Sequence, residues 1–334
     1  MFLNSWSVAL SLLSLVVVIL TAIAARTAVK VLCYWDPASD SNRQIGLENE
    51  TWLSSTLVQY AMGFQVLSLF LYILAADNFS HVISGAMCAT GALTANQYGM
   101  PVLLIKLLGA FLYGFWIVLH FLDISSERYP LLKVKYIALI CLLPLLVVDV
   151  VSQTLYIASL KPDIITSCCA VVFGEGGGND GNLLESVPQD TLLMIFYGTA
   201  LVLATIGHFL FRKLIGPLLW LNGVIWLFFI GVSLVAITTI FSSYVYAMPY
   251  HHCPFCIIKP QYSYIGLLIY GTLLPAGFFG IASAIVGFIP ITIGLDAIIH
   301  RFQKIAVLLS SVLLFLFVVI VSYHFVAYRF FGGE

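Results

Sequence analysis

The chain has 334 residues, of which 61% are apolar and only 9% are Asp, Glu, Lys or Arg. Soluble domains carry roughly 25% charged residues, so a soluble globule of this length would lack the charges to cover its surface. The composition excludes a cytosolic enzyme and a disordered chain. Its balance of 14 basic and 15 acidic residues excludes nucleic acid as a partner. The class of protein that remains after these exclusions is a polytopic membrane protein in a lipid bilayer.

Apolar runs of about 20 residues are long enough to cross a bilayer as helices. The predicted fold is therefore all-α, a transmembrane helical bundle that forms a single membrane domain over residues 1–334. Eight runs are predicted to span, at residues 5–25, 52–75, 100–122, 135–160, 190–211, 215–245, 263–290 and 304–328.

The basic residues predict the orientation of the spans. Ten of the 14 basic residues follow spans one, three, five and seven, which makes that side cytoplasmic by the positive-inside rule. Both termini are then extracytoplasmic, and a bacterial inner membrane is the expected location. No basic residue precedes the first run, so we interpret that run as a retained span and not as a signal peptide.

Three segments are predicted to face outward, at residues 76–99, 161–189 and 246–262. The middle one contains the Gly-rich run 174–181 and is expected to be an external loop. The inward segment 33–51 is expected either to lie along the lipid headgroups or to form a partner surface.

Cysteines gather in the outward segments, which suits an oxidising compartment. Five of the seven lie there, namely Cys88, Cys168, Cys169, Cys253 and Cys256. The sharpest motif is His251-His252-Cys253-Pro254-Phe255-Cys256, just before span seven.

A Cys-x-x-Cys pair can cycle between dithiol and disulfide, and a nearby helix N-terminus or cation favours the reactive thiolate. Two alternatives stay open for this motif. His251, His252, Cys253 and Cys256 offer ligands suited to zinc or copper. In the second alternative the pair is a structural staple, which only holds the fold together.

A second cysteine, Cys88, precedes span three, and Thr94 follows six residues later. The two are expected to share one face of a helical turn, where a hydroxyl can hydrogen-bond a carbonyl or a thiolate. The alternative is a buried loop cysteine beside a polar turn.

The run Cys88-x5-Thr94, followed by Gly99-Met100-Pro101, resembles the loop-to-helix segment of vitamin K epoxide reductase-type membrane thiol oxidoreductases. Cys253-Pro-Phe-Cys256 is similar to the active-site pair of that family, which exchanges electrons with a quinone. The resemblance implies that Cys88 is a relay cysteine, that Thr94 contacts the quinone, and that Cys253 and Cys256 are catalytic. The chain departs from the family because residues 76–87 contain no second cysteine.

Spans one to four and five to eight also resemble each other, since each half has an outward cysteine segment followed by a helix marked by Tyr and Gly. A parallel repeat of residues 1–160 and 190–334 is one interpretation. It would bring Cys88 towards Cys253 and Cys256. The other is that two hydrophobic halves are alike by composition alone.

Charges inside spans are costly and therefore informative. Asp149 in span four is expected either to pair with Lys106 in span three or to act as a proton relay. The sequence does not favour haem, because Ile257 and not His follows Cys256 and the histidines cluster near span ends.

These features predict thiol–disulfide electron transfer at the extracytoplasmic face. Cys253 attacks, Cys256 resolves, and Cys88 or the pair Cys168 and Cys169 passes electrons on, with a quinone as the candidate cofactor. An extracytoplasmic thiol protein or other membrane subunits would be partners. The alternatives are a copper- or zinc-handling protein, a non-catalytic anchor subunit of a larger complex, and a transporter.

Overall fold

In the computed structural model the chain is helical and contains eight helices long and apolar enough to cross a membrane among the residues that the structure describes. Those residues are 4–36, 41–126, 129–161, 188–248, 251–289 and 295–332. The predicted all-α fold of eight spans is confirmed. The outward loop 174–181 and the cysteines Cys168 and Cys169 lie outside the described residues.

The helices are numbered here in chain order. They are α1 (Ser5–Tyr34), α2 (Asn42–Ser80), the short α3 (Ala89–Thr94), α4 (Gly99–Ile124), α5 (Leu132–Ser159), α6 (Gln189–Arg212), α7 (Gly216–Ala236), α8 (Ile265–Ile285) and α9 (Asp296–Phe331). The helix α7 continues through a π-helical turn, Ile237–Phe241, into a last α-helical turn, Ser242–Tyr246.

The helices α1 and α2 run well beyond their apolar stretches, and this disfavours the headgroup interpretation of segment 33–51, while the partner surface stays a prediction for that segment. Its described residues belong mostly to the end of α1 and the start of α2, which pack against each other and do not lie flat along a surface. Lys30 pairs with Glu50 at 2.7 Å. The guanidinium of Arg43 stacks 3.7 Å from the ring centroid of Tyr34. Each of these exposed contacts adds at most about 1 kcal/mol to the packing of the two helix ends.

The chain divides into two compact units, Met1–Thr166 and Ser167–Glu334. In the first unit α1 packs on α2 and α5, and α4 closes the ring by packing on α2 and α5. In the second unit α6 packs on α7 and α9, and α8 packs on α7 and α9. Each unit is thus a four-helix bundle with the same neighbour order, and each carries its cysteine segment between the second and third long helices. The predicted repeat itself stays a prediction.

Small residues bring α7 and α8 close together in the second unit. A Cβ at Gly280 would lie 2.2 Å from Cδ1 of Trp226, and a Cβ at Gly277 would lie 2.5 Å from Cδ1 of Ile230. Inside a bilayer the hydrophobic effect does not drive helices together, because lipid tails are as apolar as the side chains. Close van der Waals packing of this kind therefore stabilises the interface between the two helices. Trp226, which is buried, fills the groove that the glycines leave.

We expect Gly280→Ala to destabilise the protein, because the methyl group would overlap the indole of Trp226. Overpacking of this kind costs about 1–3 kcal/mol. Thermal unfolding in detergent measures the loss. Gly271→Ala on the same helix is the matched control, since nothing lies within 4 Å of its Cβ. Equal melting temperatures for the two variants would contradict the packing described here.

Candidate functional site

The pair Cys253 and Cys256 lies in the irregular segment between α7 and α8. The two Sγ atoms lie within 4.8 Å of each other. Cys253 is fully buried and Cys256 is 7% exposed. A disulfide would require the two Sγ atoms to approach to about 2.05 Å, so the side chains would have to rotate before the bond could form.

The start of the next span differs from expectation. The helix α8 begins at Ile265, nine residues after Cys256, and two 3₁₀ turns, Cys256–Ile258 and Pro260–Tyr262, fill the interval. Cys256 therefore opens a 3₁₀ turn, and the N-terminus of the long helix is not adjacent to it. Any acidification of the thiols must come from other neighbours of the pair.

Two tyrosines from the flanking helices hold the cysteine segment by its main chain. The hydroxyl of Tyr246, at the end of α7, donates a hydrogen bond to the carbonyl of Cys253. The hydroxyl of Tyr270, in α8, donates to the carbonyl of Pro254 at 2.8 Å. Buried backbone outside a helix needs such donors, because its carbonyls have neither a helical partner nor access to water. The cysteine pair is thus fixed from both sides.

A close approach of α8 also fixes the segment. A Cβ at Gly266 would lie 2.9 Å from both the carbonyl carbon and the carbonyl oxygen of Ile257. Only glycine fits at this contact without a shift of backbone. Just before it, Ser263 and Tyr264 adopt left-handed conformations with φ of 52° and 56°. Such strain in residues other than glycine persists only where the surroundings impose it.

The two histidines of the motif have different surroundings. The ring of His251 meets the ring of Tyr246 edge to face at 4.4 Å. The Nδ1 atom of His252 is buried and has no hydrogen-bond partner among the described residues. Neither histidine lies within 4.8 Å of both cysteine sulfur atoms. The four-ligand metal site stays a prediction.

Tyr262 connects the cysteine segment to a cleft in the second unit. Its ring lies 4.6 Å from that of Tyr246. Burial raises the pKa of the Tyr262 phenol, Cys256 raises it further, and Lys259 acts in the opposite direction. The cleft has a volume of about 380 Å³ and lies between Tyr262, Ser263, Leu268 and His324. Tyr262 is thus a lining residue of the cleft that also contacts the helix end before the cysteine segment.

In the first unit Cys88 is fully buried and stands at the N-cap position of α3. Thr94 is the last residue of the same helix. Its hydroxyl donates to the carbonyl of Thr90 at 2.9 Å and lies 3.3 Å from that of Gly91. Since this hydroxyl is already bonded to its own helix, a contact with a ligand would have to replace that bond. Its role as a quinone contact stays a prediction.

Tyrosines hold the segment around α3 in the same manner as they hold the Cys253 segment. The hydroxyl of Tyr156 in α5 donates to the carbonyl of Ala92 at 3.0 Å. The hydroxyl of Tyr72 in α2 donates to the carbonyl of Gly99 at 2.9 Å. A Cβ at Gly99 would lie 2.2 Å from the carbonyl oxygen of Leu93. Each unit thus joins a cysteine segment to its bundle by two phenols and one glycine.

The predicted pair of intramembrane charges is confirmed. Lys106 Nζ lies 3.0 Å from Oδ2 of Asp149, and both side chains are buried. A second buried pair joins Lys135 to Asp123 at 2.7 Å, and the sequence does not predict it. Lys135 is one of the ten basic residues that predict the orientation, and it stands near a span end, where a charge is ordinary. Only the burial of both groups identifies them as an interior pair.

No protein-family profile, curated protein or solved structure matches the chain. The resemblance to vitamin K epoxide reductase-type proteins therefore stays a prediction based on the cysteine motifs.

We expect Tyr270→Phe to loosen the cysteine segment, because the carbonyl of Pro254 would lose its donor. The loss of one such hydrogen bond costs about 1 kcal/mol. The buried thiols should then react faster with a maleimide, by up to about fivefold. Alkylation rates followed by mass spectrometry measure this change.

Tyr264→Phe is the matched control because Tyr264 lies on the same segment and is 52% exposed. Its alkylation rates should equal those of the unmodified protein. An unchanged rate in Tyr270→Phe would show that the phenol does not restrain the pair.

Proposed function

We propose that the protein is a membrane thiol–disulfide oxidoreductase whose reactive pair is Cys253 and Cys256. The observation that carries this proposal is the placement of two sulfur atoms within 4.8 Å on a short segment that two tyrosines hold by its carbonyls. A pair that cycles must keep its geometry in both redox states.

The exchange proceeds in two balanced steps. The Cys253 thiolate attacks a sulfur of a partner's disulfide, which forms a mixed disulfide and releases one partner thiolate. The Cys256 thiolate then attacks the Cys253 sulfur, so the pair becomes a disulfide and the partner leaves as a dithiol. Run in reverse, the oxidised pair accepts two electrons from a partner dithiol.

A quinone is the small-molecule acceptor that this scheme favours. The reduced pair would give it two electrons and two protons, so that the pair becomes a disulfide and the quinone becomes a hydroquinone. The cleft beside Tyr262 supports this part of the proposal, since about 380 Å³ is within the range of pockets that hold small ligands. Tyr262 and His324 supply polar groups that could orient a ring carbonyl.

The predicted orientation puts this chemistry on the extracytoplasmic side of a bacterial inner membrane, where thiol proteins can be oxidised. Cys88 in the first unit, and Cys168 and Cys169, stay predicted relay cysteines. The non-catalytic anchor subunit stays an alternative, in which both pairs of tyrosines serve stability alone.

A second candidate function is copper or zinc handling, and one observation favours it. The buried Nδ1 of His252 has no partner among the described residues, and it stands next in sequence to Cys253. A buried imidazole nitrogen normally finds a hydrogen-bond partner or a metal ion. Binding by His252 with Cys253 and Cys256 would require the imidazole to turn towards the sulfur atoms.

The test equilibrates native membranes with mixtures of reduced and oxidised dithiothreitol and then labels thiols. We expect Cys253 and Cys256 to change together between labelled and protected forms as a single two-electron couple. Cys256→Ser should leave Cys253 in a mixed disulfide with its partner, because the resolving thiol is absent. Cys141→Ser is the matched control, since Cys141 is exposed on α5 and should not alter the couple.

Measurements on the same membranes and on the purified protein distinguish the candidate functions. Cysteines that stay in one state at every potential would contradict the redox proposal. Stoichiometric copper or zinc in the purified protein, lost in both His252→Ala and Cys256→Ser, would replace it with metal handling. Unchanged redox behaviour in His252→Ala, with no metal bound, would leave the oxidoreductase.

A further inference from the structure

Two buried ion pairs lie among the described residues of the first unit, and only one of these two is complete. In the pair of Asp123 and Lys135, Oδ1 of the aspartate accepts a hydrogen bond from the main-chain N–H of Leu131 at 2.9 Å. Its Oδ2 accepts one from Lys135 at 2.7 Å. Both carboxylate oxygens are therefore satisfied, as a structural ion pair requires.

The pair of Asp149 and Lys106 is arranged differently. Lys106 donates to Oδ2 of Asp149 at 3.0 Å, and the amide of Gln65 donates to the same oxygen. The other oxygen, Oδ1, is buried and has no hydrogen-bond partner among the described residues. Two neighbouring atoms share that condition, namely Oε1 of Gln65 and the hydroxyl of Tyr113. All four side chains belong to residues no more than 3% exposed.

These three atoms form a complementary set. Tyr113 lies within hydrogen-bonding reach of Gln65 and interacts electrostatically with Asp149, although its hydroxyl forms no hydrogen bond of good geometry with a described residue. Two of the atoms are acceptors, and the phenol is a donor. One water molecule can donate to the two acceptors and accept from the phenol. Buried waters typically make about three hydrogen bonds of this kind.

We propose that Asp149 is a proton-exchange site, which binds one water molecule with Gln65 and Tyr113 and takes up a proton from the end of the first unit that carries α3. A hydronium ion arriving at the water position gives its proton to Oδ1 of Asp149. The carboxylate becomes a carboxylic acid and a neutral water stays behind. Lys106 remains protonated and keeps its hydrogen bond to Oδ2 throughout.

The direction from which a proton reaches Asp149 follows from the residues on either side of it along the helices. One turn along α5, Gln153 is buried and donates to Ser14 of α1 at 2.9 Å. These polar groups continue from Asp149 towards the end where α5 finishes and α3 lies. On the opposite side, Val17, Ala61 and Leu146 form a buried apolar cluster. The site thus has polar neighbours on one side and a hydrophobic seal on the other.

The groups that act on Asp149 come from two of the helices around it. The helix α4 contributes Lys106 and Tyr113, and α2 contributes Tyr72 together with the uncharged Gln65. On α1 the two charged residues, Arg26 and Lys30, are exposed, so its polar contribution is Ser14 through Gln153. The single carboxylate and the single ammonium therefore set the electrostatics of the site.

Infrared titration of the purified full-length protein tests this proposal through the carbonyl band of protonated carboxylic acids. We expect a band that grows as the pH falls, shifts in heavy water, and is lost in Asp149→Asn. Tyr113→Phe keeps the shape of the site but removes the donor to the water. Its titration midpoint should rise by roughly half to one pH unit, because the ionised form loses hydrogen-bond support.

Tyr136→Phe is the matched control, because that phenol bonds to Ser55 and Thr51 and not to the site. Its midpoint should equal that of the unmodified protein. In sealed vesicles with one orientation, the band should follow the pH on the α3 side alone. The proposal is overturned by a band that persists in Asp149→Asn, by equal midpoints in Tyr113→Phe and Tyr136→Phe, or by a response to pH on both sides.

Discussion

The requirement that every buried polar group finds a partner inside its own bundle governs this structure, because a hydrocarbon surrounding offers none. Helices satisfy their own backbone, so the long spans meet the requirement by themselves. The segments that carry cysteines cannot do so, and phenol hydroxyls from the spans supply the missing donors. Charged side chains meet it in pairs within the first unit.

This requirement also distinguishes structural arrangements of polar groups from candidate functional sites. Where every atom has a partner, as around Asp123, the arrangement is complete and rigid. Where a buried polar atom lacks a partner among the described residues, as at Oδ1 of Asp149 and Nδ1 of His252, that atom is still able to bind another group. Buried polar groups without partners are uncommon in folded proteins, and they accumulate at functional places. Among the described residues, Asp149 in the first unit and His252 in the second are titratable groups of this kind that lie beside a well-supported frame.

The sequence predicts the number of spans because apolar runs of membrane length have few other interpretations. It does not predict where α1 ends and where α2 begins, since the polar stretch 42–51 is helical although its hydropathy does not mark it as part of a span. The pair of Lys106 and Asp149 was predictable because charges deep in spans are rare. Asp123 and Lys135 stand near span ends, where charges are ordinary.

The candidate site was predictable only in part. The Cys-x-x-Cys spacing identifies the pair, but the phenols that hold it carry no sequence signal, because tyrosines are common near the ends of spans. Tyr246 is far from Tyr270 along the chain, and only the fold brings their hydroxyls to adjacent carbonyls. The two 3₁₀ turns before α8 also escape a pattern based on hydropathy, since they occupy a short stretch of mixed polarity.

The π-helical turn Ile237–Phe241 sets the rotational register of everything after it in α7. A π turn accommodates one residue more than an α-helical turn, and each residue of an α-helix advances the side-chain direction by about 100°. Tyr246 follows the turn by five residues and reaches the Cys253 carbonyl in that register. A regular α-helix of the same length would aim this phenol about a quarter of a circle away. One inserted residue inside an apolar span thus determines which side chain faces the thiols. No sequence motif reveals this effect, because the inserted residue is far from the cysteines along the chain.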